Sequence, residues 1–321
     1  MSDMRIVLLS PTFGGTSGVG RHVQVLFGKL AERGHRLRVI STNNTPFINA
    51  RNLRNPSWAL FAGLKKAEAE IIHAHNLPSI VPAKVYAGKK VLTLHGAYSS
   101  QVGLLHGGLL GSLARRFEPW VLKWADAITC VSKKMSRAYE GLGVKVEYVP
   151  NAVDCDRIEQ IVRRVGKRPN RVVYMGRKSK EKGYDIFVKA SANLSRRYEF
   201  LSVEGREWEE AISLLASSTV LVVPSRLEGL PTVILEAFAA GTMVIGSGID
   251  GIMEVVEEGK TGLLFTPGDH RALAQRLEEA LTDEGLRSAL TVKAKDKVRS
   301  EYDWELALQR YLSVYARLTG M

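Results

Sequence analysis

Short aliphatic runs recur along the chain, and nearly every one ends at glycine, serine, histidine or proline. RIVLLS (5–10), RLRVIS (36–41), AEIIHAH (69–75), KVLTLHG (90–96), ADAITCVS (125–132) and VKVEYVPN (144–151) succeed one another in the first half. Most are too continuously apolar for a sheet with one wet face, so they read as strands covered on both sides. A helix is expected from Val19 to Arg33, with Val19, Val23, Leu26 and Leu30 on one stripe and Gly34 ending it. Strands that alternate with helices in this way predict parallel sheets flanked by helices. The pattern restarts at NRVVYMGR (170–177) and runs through YEFLSVEG (198–205), TVLVVPS (219–225), TMVIGS (242–247) and TGLLFTP (261–267), with helices between them. From His270 onward the chain reads as helical, and its last helix, about Trp304 to Leu318, carries Leu306, Leu308, Tyr311, Leu312 and Tyr315 as a face that needs a docking surface.

The expected fold class is therefore α/β, with two Rossmann-like domains built on parallel sheets. A length of 321 residues accommodates both. The break falls near 152–168, which gives an N-terminal domain of 1–152, a second domain of 153–302 and a closing helix, 303–321, packing back toward the first domain. Ligands of open parallel sheets lie beyond the carboxyl ends of the strands, so the residues after each strand are the candidates for chemistry.

Composition narrows the function classes. The formal charge of +12 suits a polyphosphate substrate, an anionic membrane or a nucleic acid, but no zinc-finger or RNA-recognition signature supports the last. Two cysteines, Cys130 and Cys155, cannot make a disulfide framework and suit a reducing, cytoplasmic compartment. No run of eighteen apolar residues offers a membrane span, and the N-terminus does not read as a signal peptide.

Glycine-rich GGTSGVGR (14–21) follows the first strand and leads into a helix, where backbone N–H groups face an anion or simply make a turn. Its glycines, Gly15, Gly18 and Gly20, fit neither the P-loop nor the dinucleotide spacing. His95 ends another strand, placed either to hydrogen-bond a hydroxyl and move a proton or to serve as a structural histidine. His73 and His75 share one strand face and read as core or supporting residues; neither this pair nor His95 shows a third ligand at metal spacing, so no metal site is expected. GRKSKEKG (176–183) places Arg177 and Lys182 between a buried strand and a helix, suited to a diphosphate. SRLEGLPTVILEA (225–237) sets Glu228 before a helix and Glu236 in its second turn, with Pro231 in the first turn. A carboxylate accepts two O–H donors, which suits vicinal hydroxyls of a sugar or a ribose. Gly248 to Gly251 adds a further turn near the same ligand. Asp154 and Asp156 form D-x-D, away from the phosphate-binding group, and are not read as metal ligands.

Taken in order, these segments resemble the retaining glycosyltransferases of the GT-B fold, in the large GT4 family (glycosyl transferases group 1). GGTSGVGRHV, TLHG, ADAITCVS, VPNAVD, YMGRKSKEKG, EGLPTVILEA, EVVEEGKTGLLFTPGD and EYDW carry the resemblance, and EGLPTVILEA, with its Glu-x7-Glu spacing, is the most specific. It implies two domains facing a central cleft, the first on the acceptor side and the second for the nucleotide-sugar donor. It also implies transfer of a hexose-like sugar from a UDP- or GDP-sugar to an acceptor hydroxyl with retention, and no required cofactor. Arg177 and Lys182 would bind the diphosphate, Glu228 the transferred sugar, and Glu236 the ribose. His95 would assist at the sugar. Gly15 and Gly18 would line the site through their backbone, and Leu230 and Thr232 would offer N–H groups. The chain departs from the family at Ala152, where glycine is usual, and in a second domain short by one strand–helix unit before TVLVVPS. A GT-B-like epimerase and a non-catalytic nucleotide-sugar or glycan-binding subunit are the competing readings. Residues 102–124 mix Leu, Phe and Trp with Arg115, Arg116 and Lys123, which suits either an ordinary packed helix or peripheral contact with an anionic bilayer, and with it a glycan, lipid-linked or small-molecule acceptor.

Overall fold

A computed structural model describes residues 3–15, 17–50, 53–65, 67–96, 116, 118–141, 143–192 and 194–321. The chain divides into two compact units: Met1–Pro150 together with Ala307–Met321, and Asn151–Leu306. Most of the 102–124 segment lies outside the described residues.

The first unit holds six strands, β1 (Arg5–Leu9), β2 (Arg36–Ile40), β3 (Glu68–His75), β4 (Ala87–Leu94), β5 (Ala127–Cys130) and β6 (Glu147–Tyr148). They form one parallel sheet in the order β2-β1-β3-β4-β5-β6. The expected strand 144–151 shrinks to the two residues of β6, paired only with Thr129 and Cys130. The chain leaves β1 toward β2 and returns on the other side as β3, so the strand order reverses beside β1, the usual place for a ligand in such sheets. Helices α1 (Gly18–Glu32), α2 (Arg54–Gly63), α3 (Leu77–Ala83) and α4 (Lys133–Glu140) complete this part. Ser17 caps α1 by accepting the Gly20 N–H at 2.9 Å, and Val23, Leu26 and Leu30 are fully buried on its inner stripe.

The second unit holds β7 (Arg171–Met175), β8 (Glu199–Val203), β9 (Val220–Val223), β10 (Met243–Ser247) and β11 (Leu263–Phe265), parallel in the order β11-β10-β9-β7-β8. Its helices are α5 (Cys155–Val162), α6 (Tyr184–Ser191), α7 (Trp208–Ser217), α8 (Thr232–Ala240), α9 (Asp250–Met253), α10 (His270–Thr282) and α11 (Glu284–Glu301). Every residue of β9 is buried, which explains why VLVV shows no alternation. β8 and β11 are the edge strands, and among the described residues no strand lies beyond β8. The order reverses between β7 and β9. The segments that follow these two strands carry Arg177 and Lys182 after β7, and Arg226 and Glu228 after β9.

α12 (Trp304–Thr319) closes the chain's described elements, and Ala307 onward belongs to the first unit. Its Tyr311 and Tyr315 are wholly buried and meet histidines of that unit. Cys130 and Cys155 are both buried free thiols.

Candidate active site

In the second unit, the turn after β7 is shaped by glycine. Gly183 has φ +68°, and a Cβ there would stand 1.9 Å from the Pro224 carbonyl oxygen at the end of β9. Only glycine lets the two strand-end loops touch. Arg226 then ties them together: its N–H donates to the Glu181 carbonyl at 2.8 Å, and its guanidinium grips the Asp185 carboxylate at 2.7 and 2.9 Å. The result is a close meeting of Lys182 and Glu228. The Lys182 Nζ donates to Oε1 and Oε2 of Glu228 at 2.7 and 2.8 Å, and the Ser225 hydroxyl donates to Oε1 at 2.7 Å. The Glu228 side chain is only 10% exposed and that of Lys182 26%. In such a sheltered place an ion pair is held far more firmly than on the surface.

Pro231 is the N-cap residue of α8 rather than part of its first turn, because its ψ of 114° is extended. Thr232 is thus the first helical residue, and its N–H is among those a helix start leaves without an intrahelical partner. The Leu230 side chain is buried, and its carbonyl accepts the Asn151 side-chain N–H at 2.7 Å. Gly251 backs this loop closely: a Cβ there would lie 2.5 Å from the carbonyl oxygens of both Glu228 and Gly229. Glu236 does fall in the second turn of α8, where its Oε1 accepts the Trp208 indole N–H at 2.8 Å. Arg157 covers the Trp208 ring at 5.0 Å from its centroid. Arg177 stands apart in character. Its side chain is 64% exposed and meets Glu181 at 3.3 Å, while the Tyr174 hydroxyl donates to its carbonyl. Asp154 caps α5 by accepting the Arg157 N–H, and Asp156 pairs with Arg299 at 2.9 Å, so structural roles account for D-x-D.

The first unit has its own cluster. The Gly14 N–H bonds the Gly20 carbonyl at 2.8 Å, closing the glycine-rich loop on itself. Gly15 has φ +70° with open space around a would-be Cβ, and Gly18 opens α1. His95, directly after β4, is fixed by its N–H to the Asn76 side-chain oxygen at 3.0 Å. Its Nε2 lies 3.1 Å from His75 Nδ1 at the end of β3. His73 is a core residue: Nδ1 meets the Tyr315 hydroxyl and Nε2 the Thr93 hydroxyl, each at 2.6 Å. His22, on α1, joins from a third direction, with Nε2 3.2 Å from the Tyr311 hydroxyl and its ring 4.7 Å from that of His95. Burial first, and then the neighbouring imidazoles, hold His22 and His75 well below the usual histidine range; the same causes bring His73 down to about 3. These rings are neutral near pH 7.

The sequence shows no third ligand at metal spacing beside His73 and His75 or beside His95, and it does not foresee that α1 brings the His22 ring close to those of His75 and His95. The clue lay in spacing: positions 22, 26 and 30 share the buried stripe of α1, so His22 had to point inward. Trp208, Ser225 and Asn151 also escaped sequence reasoning. Nothing in the order of the residues reveals that an indole opening α7 reaches a carboxylate on α8.

The family described as Glycosyltransferase Family 4 matches residues 16–157, and the one described as Glycosyl transferases group 1 matches residues 200–297. A glycogen synthase of Mycobacterium tuberculosis is 25% identical over 393 aligned residues, spanning 97% of this chain and 94% of that protein. Those 393 positions exceed the 321 residues of this chain, so the relative carries segments that this chain lacks. Among solved structures, the sucrose-phosphate synthase of Thermosynechococcus elongatus superposes with a TM-score of 0.78 at 19% identity, covering 98% of this chain and 99% of that one. Anabaena HepE, solved in complex with UDP and glucose, superposes with a TM-score of 0.68 at 18% identity, covering 98% and 100%. At these identities the two structures establish the fold, which is two Rossmann-like units on parallel sheets in the GT-B arrangement.

Proposed function

We propose a specific reaction from one premise: the chain is a GT-B-fold glycosyltransferase related to the family 4 and group 1 enzymes. The reaction is transfer of a hexose from a nucleoside-diphosphate sugar to an acceptor hydroxyl with retention of configuration. The observation that carries this reading is the sheltered Lys182–Glu228 pair, set where the strand order reverses between β7 and β9.

The chemistry follows from where charge develops. As the sugar–phosphate bond breaks, negative charge builds on the departing diphosphate. A cation already positioned there stabilises the transition state more than the ground state. We assign that task to Lys182, with Arg177 reaching in on its longer, exposed side chain. Glu228 holds the Lys182 ammonium in place and presents carboxylate oxygens to hydroxyls of the transferred sugar. Backbone N–H groups at Leu230 and Thr232, at the start of α8, face the phosphates in this reading, as helix starts commonly do. Glu236 takes the ribose hydroxyls, oriented by Trp208. In the first unit, His95 and the backbone of Gly15 and Gly18 are assigned to the sugar and the acceptor. Retention places the incoming proton on a leaving phosphate oxygen, so no second carboxylate is called on as a base.

UDP- and GDP-sugars are the donors to screen, UDP-sugars first because the structure of HepE was obtained with UDP. The proposed acceptor is a glycan, a lipid-linked sugar or a small polyol. Leu60, Leu64, Val81, Val85 and Trp120 are exposed in the first unit, and the Lys84 ammonium lies 4.3 Å from the Trp124 ring centroid. Apolar side chains interspersed with cations support peripheral contact with an anionic bilayer. Among the described residues no helix is long and apolar enough to cross a membrane. The buried free thiols support a reducing, cytoplasmic location. The deciding experiment measures nucleoside diphosphate released from a panel of UDP- and GDP-sugars with and without acceptors. Acceptor-dependent release supports transfer, whereas donor binding without release in any combination overturns it.

A further inference from the structure

We propose that His75 and Asn76 are positioning residues for His95: Asn76 fixes its backbone, and His75 fixes its ring in the tautomer that carries the proton on Nδ1. His95 is the histidine assigned to the sugar in the proposed reaction, and its positioning matters to catalysis only on that reading. His75 is the last residue of β3, Asn76 follows it, and His95 directly follows the neighbouring strand β4.

The backbone carries the first sign. Asn76 has φ +65° and ψ 159°. That region belongs essentially to glycine, and a side chain held there is strained. The conformation secures two hydrogen bonds to the end of β4. The Asn76 N–H donates to the Thr93 carbonyl at 2.8 Å, and its side-chain oxygen accepts the His95 N–H at 3.0 Å. Glycine would relieve the strain but has no oxygen to offer His95. Strain of this kind collects where a fold holds a functional group in place.

The rings carry the second. His95 Nε2 lies 3.1 Å from His75 Nδ1, the two rings stack at 5.4 Å, and the His22 ring meets that of His95 edge-on at 4.7 Å. Of the two facing nitrogens, one donates a proton and the other accepts it. Burial, and then the surrounding imidazoles, keep His75 neutral, so it has a single N–H to place. Its wholly buried Nε2 has no hydrogen-bond partner among the described residues. His73 packs its ring 4.3 Å away but spends its own nitrogens on Tyr315 and Thr93. A proton on His75 Nε2 would be an orphaned buried N–H, the rarer fault in folded proteins; a bare Nε2 is the milder one. The proton therefore sits on His75 Nδ1 and is donated to His95 Nε2. A neutral His95 then carries its own proton on Nδ1 and acts as a donor toward whatever faces that nitrogen, protein or sugar. That suits the proposed reaction, in which the acceptor's proton passes to a leaving phosphate oxygen and no protein base is called on.

The tautomer is read on the unaltered full chain with no sugar present. In 13C,15N-labelled protein at about pH 8, above the ordinary histidine value, ring 1H–15N correlations should show His75 and His95 each protonated on Nδ1 and bare on Nε2. A proton on Nε2 of either ring would overturn the proposal, whatever the protein transfers. Variants connect the tautomer to turnover of a UDP- or GDP-sugar. His75→Leu offers no donor and should lower kcat about 10²-fold or more, with the donor KM within about threefold. His75→Asn places an amide N–H near the position of Nδ1 and should lose at most about tenfold. Asn76→Gly should keep its Tm within about 4 °C of the unaltered protein yet lose about tenfold in kcat. Equal kcat losses in folded His75→Leu and His75→Asn, or a kcat in Asn76→Gly that does not fall, would overturn the positioning role. Full turnover in His95→Ala would instead overturn the place of His95 at the sugar, while the spectra decide the tautomer by themselves.

Discussion

Lys182 and Glu228 lie 46 residues apart in the chain, yet the ammonium of one bridges both oxygens of the other at 2.7 and 2.8 Å. They behave as one device, so their substitutions should not act independently. Glu228→Ala should lower kcat by about 10²–10³-fold while changing affinity for the bare nucleoside diphosphate by less than about fivefold. Lys182→Ala should instead weaken the diphosphate at least about tenfold and leave the nucleoside alone almost untouched. In thermal melts the double variant should be no less stable than the worse single one, because removing one partner strands the other's charge. Additive losses would show that the pair is not coupled.

Trp208 orients Glu236 through a single indole N–H at 2.8 Å. Trp208→Phe keeps the ring and removes the donor. Hydrogen bonds to charged groups contribute about 1.5–3 kcal/mol, so the donor KM should rise by about tenfold or more with kcat within about twofold. Steady-state kinetics would separate this from a collapse of kcat at constant KM, which would place Glu236 in the chemistry instead of in binding.

Gly183 and Gly205 share a left-handed backbone, with φ +68° at both, but differ in surroundings. At Gly205 a Cβ meets nothing within 4 Å, whereas at Gly183 it would meet the Pro224 carbonyl at 1.9 Å. Gly205→Ala should cost about 1–2 kcal/mol. Gly183→Ala should cost that and roughly 1–3 kcal/mol more for overpacking, and should also loosen Lys182 from Glu228. Denaturant midpoints of the two variants give the comparison directly, and equal losses would remove the contact with Pro224 from the account.

Much of this architecture is visible in sequence because buried parallel strands write themselves as unbroken aliphatic runs. VLVV and RIVLL need no partner to be recognised. Glu228 and Lys182 each stand out in the sequence as candidates for ligand binding from their positions after strands. Their mutual pairing does not, because it depends on Gly183 and Gly251 allowing loops distant in sequence to touch. His22 was hidden for a similar reason. A histidine on a helical stripe announces burial, but its meeting with His75 and His95 is set by how α1 lies on the sheet. The terminal β6 was overread, since an apolar alternation over eight residues found a pairing partner for only two.

His22, His73 and His75 are buried as neutral rings, with pKa values lowered on folding. The folded unit therefore binds fewer protons than the unfolded chain below the ordinary histidine value of about 6.5. Stability is fully present above that pH and is lost as the solution becomes more acidic. For three such rings the slope reaches up to about 4 kcal/mol per pH unit. Urea midpoints measured with a chelator present from pH 8 to pH 5 should fall below pH 6.5, and less steeply in His73→Gln. A flat profile would contradict neutral burial.

Burial, followed by hydrogen bonding to Asp303, pushes the Cys155 thiol up to about 12. At pH 8 its thiolate fraction is about a thousandfold below that of an ordinary cysteine. Iodoacetamide should leave Cys155 intact in native protein and modify it promptly in urea. Rapid native labelling would mean that the first turn of α5 opens readily.

The first unit is not one continuous stretch: Met1–Pro150 is completed only by Ala307–Met321. During synthesis on the ribosome, the second unit emerges whole while the first still lacks the segment that carries Tyr311 and Tyr315. The nascent first sheet must wait through the translation of 156 residues, Asn151 to Leu306, with His22 and His73 missing their tyrosine partners. The order of maturation is therefore inverted relative to the order of translation: the segment made first is the last to be finished.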